Sequence, residues 1–451
     1  MEPAQLSASS PRRAAPPEPG PPRRASRRLP ALVSAVIAIT VIVGLVVTLL
    51  APPRAFGSWL GAPLPPFFAF WRPAFGLWTV VAALVLFAGA ATAGRLCSRA
   101  VGPLGFAAAA FALALGLRLA LATSTDGPYA WAAVFQGTRG QNEYLPALPA
   151  LELGARTFLD RFAELAPTLP LHPSAHPPGT LLALHLLGID SAAGMATLTI
   201  ATGALAAPLT YALGRELLDE SAARTAALLF AFAPSALLYG ATSADAMFAT
   251  LGVGAATLLA ARRPLARALG ALALALSSFF SWALLAVGAW ATLLSAARMG
   301  LASAARLAVV CAVALVAFYA GLYALTGFDP FGTLAAANEA YRAGIYFGRP
   351  YWYWLFGSPV AFLLAMGVPV AWLTLRALAA RQAAAIALAG VVVTAAVLGF
   401  SKAETERIWL FMVPLACLAA ATQLAPQRLS AVLGLLAAQA LAVEILLGTV
   451  W

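Results

Sequence analysis

The chain holds three histidines, and two of them, His172 and His176, share the stretch Leu171-His172-Pro173-Ser174-Ala175-His176-Pro177-Pro178-Gly179. Almost everything around this stretch is hydrocarbon, so polar groups gathered in one loop narrow the search for chemistry. Two imidazoles at this spacing suit a phosphate or a divalent metal ion, and that metal is the one cofactor the residues suggest. Pro173 and Pro177 work against the regular helix that would align an i, i+4 pair. Phosphate or acceptor contact is therefore the stronger functional reading. The plainer alternative is that the prolines start a helix and the imidazoles bond to backbone or lipid headgroups.

Two carboxylates precede this loop, in Asp126-Gly127-Pro128-Tyr129 and Asn142-Glu143-Tyr144-Leu145-Pro146. A carboxylate at a membrane surface can act as general base toward a hydroxyl, and it can equally cap a helix or sit solvated. Asp245 interrupts an apolar block in Ala241-Thr242-Ser243-Ala244-Asp245. An ionisable group at membrane depth is a candidate functional residue, although a hairpin-tip cap has the same signature. Lys402, Glu404, Glu406 and Arg407 form a short charged loop whose cations could bind a lipid-linked phosphate or simply pair with their neighbours. Arg349 stands just before Tyr351-Trp352-Tyr353-Trp354, a run that reads first as an interfacial aromatic belt and second as a sugar-stacking platform.

The elements that must position these residues are membrane helices. Hydrophobic residues make up 62% of the chain and charged residues 10%, with mean hydropathy +0.86. A soluble domain carries roughly 25% charge. Long Ala/Leu/Val runs without period-2 alternation exclude a barrel. The fold class is therefore all-α, a polytopic membrane protein of about 11–13 transmembrane helices, since each span needs about 20 apolar residues. The net charge of +11 belongs to arginines at the ends of apolar runs, and no nucleic-acid partner is implied. Of 28 basic residues only Lys402 is a lysine, an arginine bias that, with abundant alanine, points to a GC-rich bacterial source. Cys97, Cys311 and Cys417 read as small buried hydrophobes.

Residues 1–28 read as a disordered cytoplasmic tail and 29–102 as two N-terminal spans, the first of them uncleaved. Arginine placement puts the polar stretches 123–176, 327–358 and 401–407 on the periplasmic or extracellular side of a plasma membrane. Most of the 17 acidic residues fall on that side with them. Within the first stretch, Leu151, Phe158, Leu159, Phe162 and Leu165 share one helical face, which predicts an amphipathic helix lying on the membrane surface. Residues 179–189 are too short to span and read as re-entrant or interfacial. The blocks 225–260 and 268–296 read as hairpins with Asp245 and Ser277–Trp282 at their tips. Spans follow at about 306–326, 358–376, 382–400, 408–424 and 429–449, each near the length a bilayer requires.

This order of features resembles the GT-C superfamily of membrane glycosyltransferases, in particular the protein O-mannosyltransferase and aminoarabinose-transferase branch. The matching features are a span containing Arg118, a long acidic outer loop, and His176-Pro177-Pro178-Gly179 opening the next helix. The Pro234…Ser243-Ala244-Asp245 hairpin and charged loops near the C-terminus follow. The match covers about 103–424 as a catalytic core, with 425–451 as a last helix. The resemblance implies sugar transfer, mannose-like or pentose, from a polyprenyl-phosphate donor to a glycan, lipid or protein acceptor in one inverting step. Glu143 or Asp126 would be the base, and Arg407, Lys402 or His176 would neutralise the leaving phosphate. The family's carboxylate is often an Asp-Glu pair, which this chain lacks, so the two candidates remain open. A secondary transporter or lipid flippase is the rival from another class and would need midplane charges and repeated halves. A lipid-linked glycan ligase or polymerase is the chemical neighbour.

Overall fold

The computed structural model describes residues 28–97 and 100–449. The expected disordered tail lies almost wholly outside the described residues. The chain is helical nearly throughout, with α1 (Arg28–Leu50), α2 (Leu77–Ala93), α3 (Pro103–Ala122) and α4 (Ala192–Leu217) as its first long helices. Next come α5 (Glu220–Phe232), α6 (Pro234–Thr242), α7 (Asp245–Ala260), α8 (Pro264–Ser278), α9 (Leu285–Met299) and α10 (Leu301–Thr326). The last are α11 (Pro330–Ala343), α12 (Tyr351–Ala365), α13 (Val368–Ala379), α14 (Ala383–Leu398), α15 (Val413–Ala421) and α16 (Leu429–Leu446).

Among the described residues seven helices are long and apolar enough to cross a membrane, or up to nine if each of two bent pairs is one span. Four shorter apolar helices pack among them. The protein is a multi-pass membrane protein. Backbone groups in hydrocarbon must bond within their own helix, and the ends follow capping rules. Proline opens α3, α6, α8 and α11, where its missing N–H costs nothing. Asp219 caps α5 by accepting from Ala222 N at 2.9 Å. The breaks at Ser243 and at Phe279–Ser281 fall at the expected hairpin tips.

Two expectations are corrected. The apolar run 358–376 is not one straight helix, because α12 and α13 meet at 113°. Gly367 sits between them at φ +101, and a Cβ there would collide with Leu436, so only glycine admits the bend. The surface amphipathic helix is instead a series of short helical pieces over 145–165. Its apolar residues Leu151, Phe158, Leu159 and Phe162 are buried in the protein core, where Phe162 meets Phe328 at 6.3 Å. The stripe that would bind lipid is used for packing.

The core is densest around α4 to α7, where every residue from Ala223 to Ala241 is buried. Helices in lipid gain little from hydrophobic exclusion and pack through small residues. Gly203 on α4 is the closest approach, since a Cβ there would collide with the carbonyl oxygen of Gly240 on α6. Gly203→Ala is expected to push these helices apart at an overpacking cost of about 1–3 kcal/mol. A thermal melt in detergent checks this, and an unchanged midpoint would mean the contact is slack. At the end of α3 away from residue 123, Arg224 fastens α5 to the turn before α3. Its Nη1 donates to Leu96 O at 3.1 Å and its Nη2 to Val101 O at 2.7 Å.

A small ribbon closes the polar end. Strand β1 (Ala69–Trp71) pairs antiparallel with β2 (Leu447–Thr449), Phe70 opposite Gly448. It joins the segment after α1 to the end of α16.

Candidate functional site

Residues 123–178 fold as short helical turns pinned at both ends. His172 N donates to Asn142 O at 3.1 Å, which draws the histidine loop onto the Glu143 turn. Gly179 N donates to Phe279 O at 2.9 Å, and a Cβ on Gly179 would collide with that oxygen. The glycine of the Pro-Pro-Gly break is therefore required for this loop to dock on the α8–α9 hairpin tip.

These pins bring the first group of predicted residues together. Glu143 is buried at 2% exposure, with Oε1 3.2 Å from His172 Nδ1. Its Oε2 has no hydrogen-bond partner among the described residues. The Tyr144 hydroxyl lies 2.6 Å from His176 Nδ1, and the two rings stack at 10°. Phe248 of α7 meets the His176 ring edge-on at 5.4 Å. Burial, with the nearby His172, pushes the His176 pKa down to about 4, so the imidazole is neutral at pH 7. Burial, with the charges of Glu143 and Asp245, holds the Tyr144 phenol well above its usual range. A phenol that keeps its proton can donate it to Nδ1 of neutral His176.

The second group is a buried chain of charges. Arg407 Nη1 donates to Asp245 Oδ2 at 2.6 Å, and its Nη2 to Glu404 Oε2 at 3.1 Å. The other oxygen of Glu404 accepts from Arg349 Nη2 at 3.0 Å. Ser243 Oγ bonds both the Asp245 carboxylate and the Asp245 N–H. Burial pushes Glu404 up, but Arg349 and Arg407 outweigh it and hold the carboxyl below its usual value. Burial likewise lowers Arg407, and Asp245, Glu404 and Glu143 overcome it and raise it. Arg407 thus feels Glu143 as well as its own partners, and the two groups form one electrostatic cluster. Lys402 instead donates to the carbonyls of Phe347 at 2.9 Å and Arg349 at 3.1 Å. It ties the 327–358 and 401–407 loops together.

The aromatic run beside Arg349 is split. Tyr351 and Trp352 are exposed, while Tyr353 and Trp354 are buried and Trp354 Nε1 donates to Leu60 O at 3.0 Å. The second half supports residues 58–68 rather than a membrane interface. Arg349 Nε donates to Gly61 O at 3.0 Å, so the same segment also covers the charge chain.

Glu406 latches this strap. Its Oε1 accepts from Phe68 N at 2.7 Å, and its Oε2 is buried without a partner among the described residues. Burial pushes its carboxyl up to about 7, above the ordinary value of 4.5. Such a group contributes stability that is fully present below about pH 4.5 and is lost as pH rises through about 7. Comparing melting midpoints of wild type and Glu406→Gln across that window should show a steeper loss with pH in wild type than in the variant. Parallel pH profiles would contradict the latch.

Asp126 lies elsewhere. It is exposed and lines a solvent-open chamber with Arg72, Arg139, Thr125, Thr242 and Glu444. The chamber adjoins the cluster through two elements, since Arg139 precedes Glu143 by one turn and Thr242 ends the helix before Asp245. Arg72, Arg139, Tyr144 and Glu444 were not singled out from the sequence. Arg139 and Tyr144 could have been, as polar residues of the same loop as Glu143. Arg72 and Glu444 carry no local signal: the β ribbon brings in Arg72, and Glu444 on α16 accepts from Ser124 Oγ at 3.3 Å. Among the described residues no three His, Cys, Asp or Glu side chains are grouped to hold a metal ion, so His172 and His176 lack a third ligand there.

The site is thus a buried cluster of His172, His176, Glu143, Asp245, Glu404, Arg407 and Arg349 beside an open chamber that carries Asp126. No protein-family model matches the chain, and no curated protein matches it.

Proposed function

We propose that the protein is a glycosyltransferase of the GT-C kind, moving a sugar from a polyprenyl-phosphate donor to an acceptor hydroxyl at the outer face of the membrane. The observation that carries this reading is the chamber: a solvent-open space bounded by membrane helices, with a carboxylate in its wall. Sugar transfer from a lipid phosphate needs a base for the acceptor, a cationic site for the leaving phosphate, and a membrane-level opening for the lipid. A carboxylate and arginines, the first two kinds of group, line this chamber.

Asp126 is the base in this reading. A base must come within hydrogen-bond reach of the proton it takes, and Asp126 faces open space, whereas Glu143 is buried against His172. The acceptor oxygen attacks the anomeric carbon as its proton passes to Asp126. The bond from that carbon to the phosphate oxygen breaks, and the lipid phosphate leaves with the electron pair. Attack opposite the leaving group inverts the anomeric centre. Glu143, His172, Tyr144 and His176 form the chamber's rigid neighbour and hold the loop in place. The bare Oε2 of Glu143 favours one second reading, in which that carboxylate takes the proton after the loop opens.

The reading requires the 123–176 loop to face outward. Gln141 is exposed, and a cysteine placed there should react with an impermeant thiol reagent on intact cells. Labelling only after membrane rupture would overturn the proposed side of action. The chemistry is tested by giving the purified chain mannosyl and pentosyl lipid-phosphate donors and following lipid-phosphate release. A flippase would move donor across a bilayer without consuming it, and a ligase or polymerase would consume it only with a glycan acceptor.

A further inference from the structure

Asp126 is the exposed residue of the turn 123–127, which follows α3. Its carboxylate accepts no hydrogen bond among the described residues, so no contact of its own fixes where it points. A general base acts only within hydrogen-bond reach of its proton, and a misplacement of about 1 Å can cost about 10²-fold. The aim of Asp126 therefore depends on what holds the turn.

The turn is held from two sides. Ser124 is fully buried, and Thr79 Oγ1 of α2 donates to its carbonyl at 2.9 Å. Thr79 is itself fixed by Gly76 N, which donates to the same hydroxyl at 3.1 Å. The Ser124 hydroxyl donates to Glu444 Oε1 of α16 at 3.3 Å. Gly127 closes the turn at φ +90, where a Cβ would stand 3.1 Å from Trp78 Nε1 of α2. Its N–H donates to Thr123 O at 3.1 Å.

α2 packs along α16, and the polar contacts of both helices meet at Ser124, two residues before Asp126. Glu444 is the only acidic residue of α16. It lines the chamber and feels the charges of Asp126 and Arg139. An ionisable residue on a membrane helix is a candidate functional residue, and this one is bonded to the turn that carries the base. Both helices lie outside 103–424, the stretch that resembles the family core.

We propose that Thr79 and Glu444 are positioning residues: through Ser124 they hold the turn so that the Asp126 carboxylate faces the chamber. α2 and α16 are then part of the reaction site as well as anchors beside it. This rests on Asp126 being the base, and one arm of the test needs no turnover.

In steady-state transfer by the full chain, Thr79→Val, Ser124→Ala and Glu444→Ala should each lower kcat about 10–100-fold and leave the donor KM near the wild-type value. Glu444→Gln keeps an acceptor oxygen for Ser124 and should recover most of what Glu444→Ala loses. In an Asp126→Asn background the same substitutions should cost almost nothing further, because residues that act through one group are not additive. A merely structural loss would persist there and overturn the positioning role. The second arm is amide hydrogen exchange of residues 123–129 in detergent. Exchange should speed up in Thr79→Val and Ser124→Ala, with melting midpoints near wild type. Unchanged exchange in both would overturn the clamp whatever the chemistry. Wild-type kcat in both, with Asp126→Asn inactive, would overturn the positioning role and leave the base in place. Faster exchange together with full activity in Asp126→Asn would keep the clamp on the turn and sink the base.

Discussion

Asp126→Asn is expected to reduce sugar transfer by about 10²–10⁴-fold, the range for loss of a general base, with little effect on folding. Asp126 is exposed at the chamber wall, so an amide there fills the same space and breaks no buried pair. Donor affinity should be nearly unchanged, because the acceptor proton is all the carboxylate handles. Glu143→Gln is expected to act differently. It removes the charge that faces His172 at 3.2 Å, so it should lower the melting midpoint and loosen the loop, with activity lost in proportion to folded protein. Steady-state rates and melts on the two variants separate the roles. Full stability with abolished turnover in Glu143→Gln, and normal turnover in Asp126→Asn, would reverse the assignment.

The second large effect is expected at Arg407. Its side chain is 7% exposed and holds Asp245 and Glu404, whose side chains are 6% and 12% exposed. Removing one partner of a buried pair leaves an uncompensated charge and typically costs about 3–5 kcal/mol. Glu404 keeps Arg349, so most of the strain falls on Asp245. Arg407→Met should therefore give a sharp loss of folded protein, and adding Asp245→Asn should recover a large part of it. Yield after size-exclusion and the melting midpoint read both. If Arg407→Met instead folds normally and only weakens donor use, Arg407 binds substrate and the charge chain is not structural.

Much of the architecture was legible because lipid imposes strict rules. The hairpin tips at Asp245 and at Ser277–Trp282 stand out because arginines flank both ends of each apolar block. The break at Gly367 does not, since one glycine in an apolar run changes neither hydropathy nor charge, and its bend depends on a positive φ that only the packed structure reveals. The stripe Leu151–Leu165 has the right period for an amphipathic face, but period says nothing about what covers the face, and here the protein core does. In the site, the loop that carries Glu143, His172 and His176 was visible as a concentration of polar groups. The same reasoning left open whether Lys402 and Arg407 bind a phosphate or pair with their neighbours. Charge can be counted in a sequence, but the partners cannot: Asp245 meets Arg407, and Lys402 meets two carbonyls, only after folding. Arg72 reaches the chamber because a three-residue ribbon ties its segment to the end of α16, and Glu444 because α16 lies against the Ser124 turn.

The central claim is that this chamber transfers sugar from a lipid phosphate. The most direct measurement is a time course of the wild-type chain in nanodiscs with a radiolabelled polyprenyl-phosphate sugar, scored for labelled acceptor and freed lipid phosphate. One lipid phosphate should be released per sugar transferred, the anomeric carbon should invert, and both signals should collapse in Asp126→Asn. Intact donor after prolonged incubation with mannosyl and pentosyl donors and with glycan, lipid and peptide acceptors would contradict it.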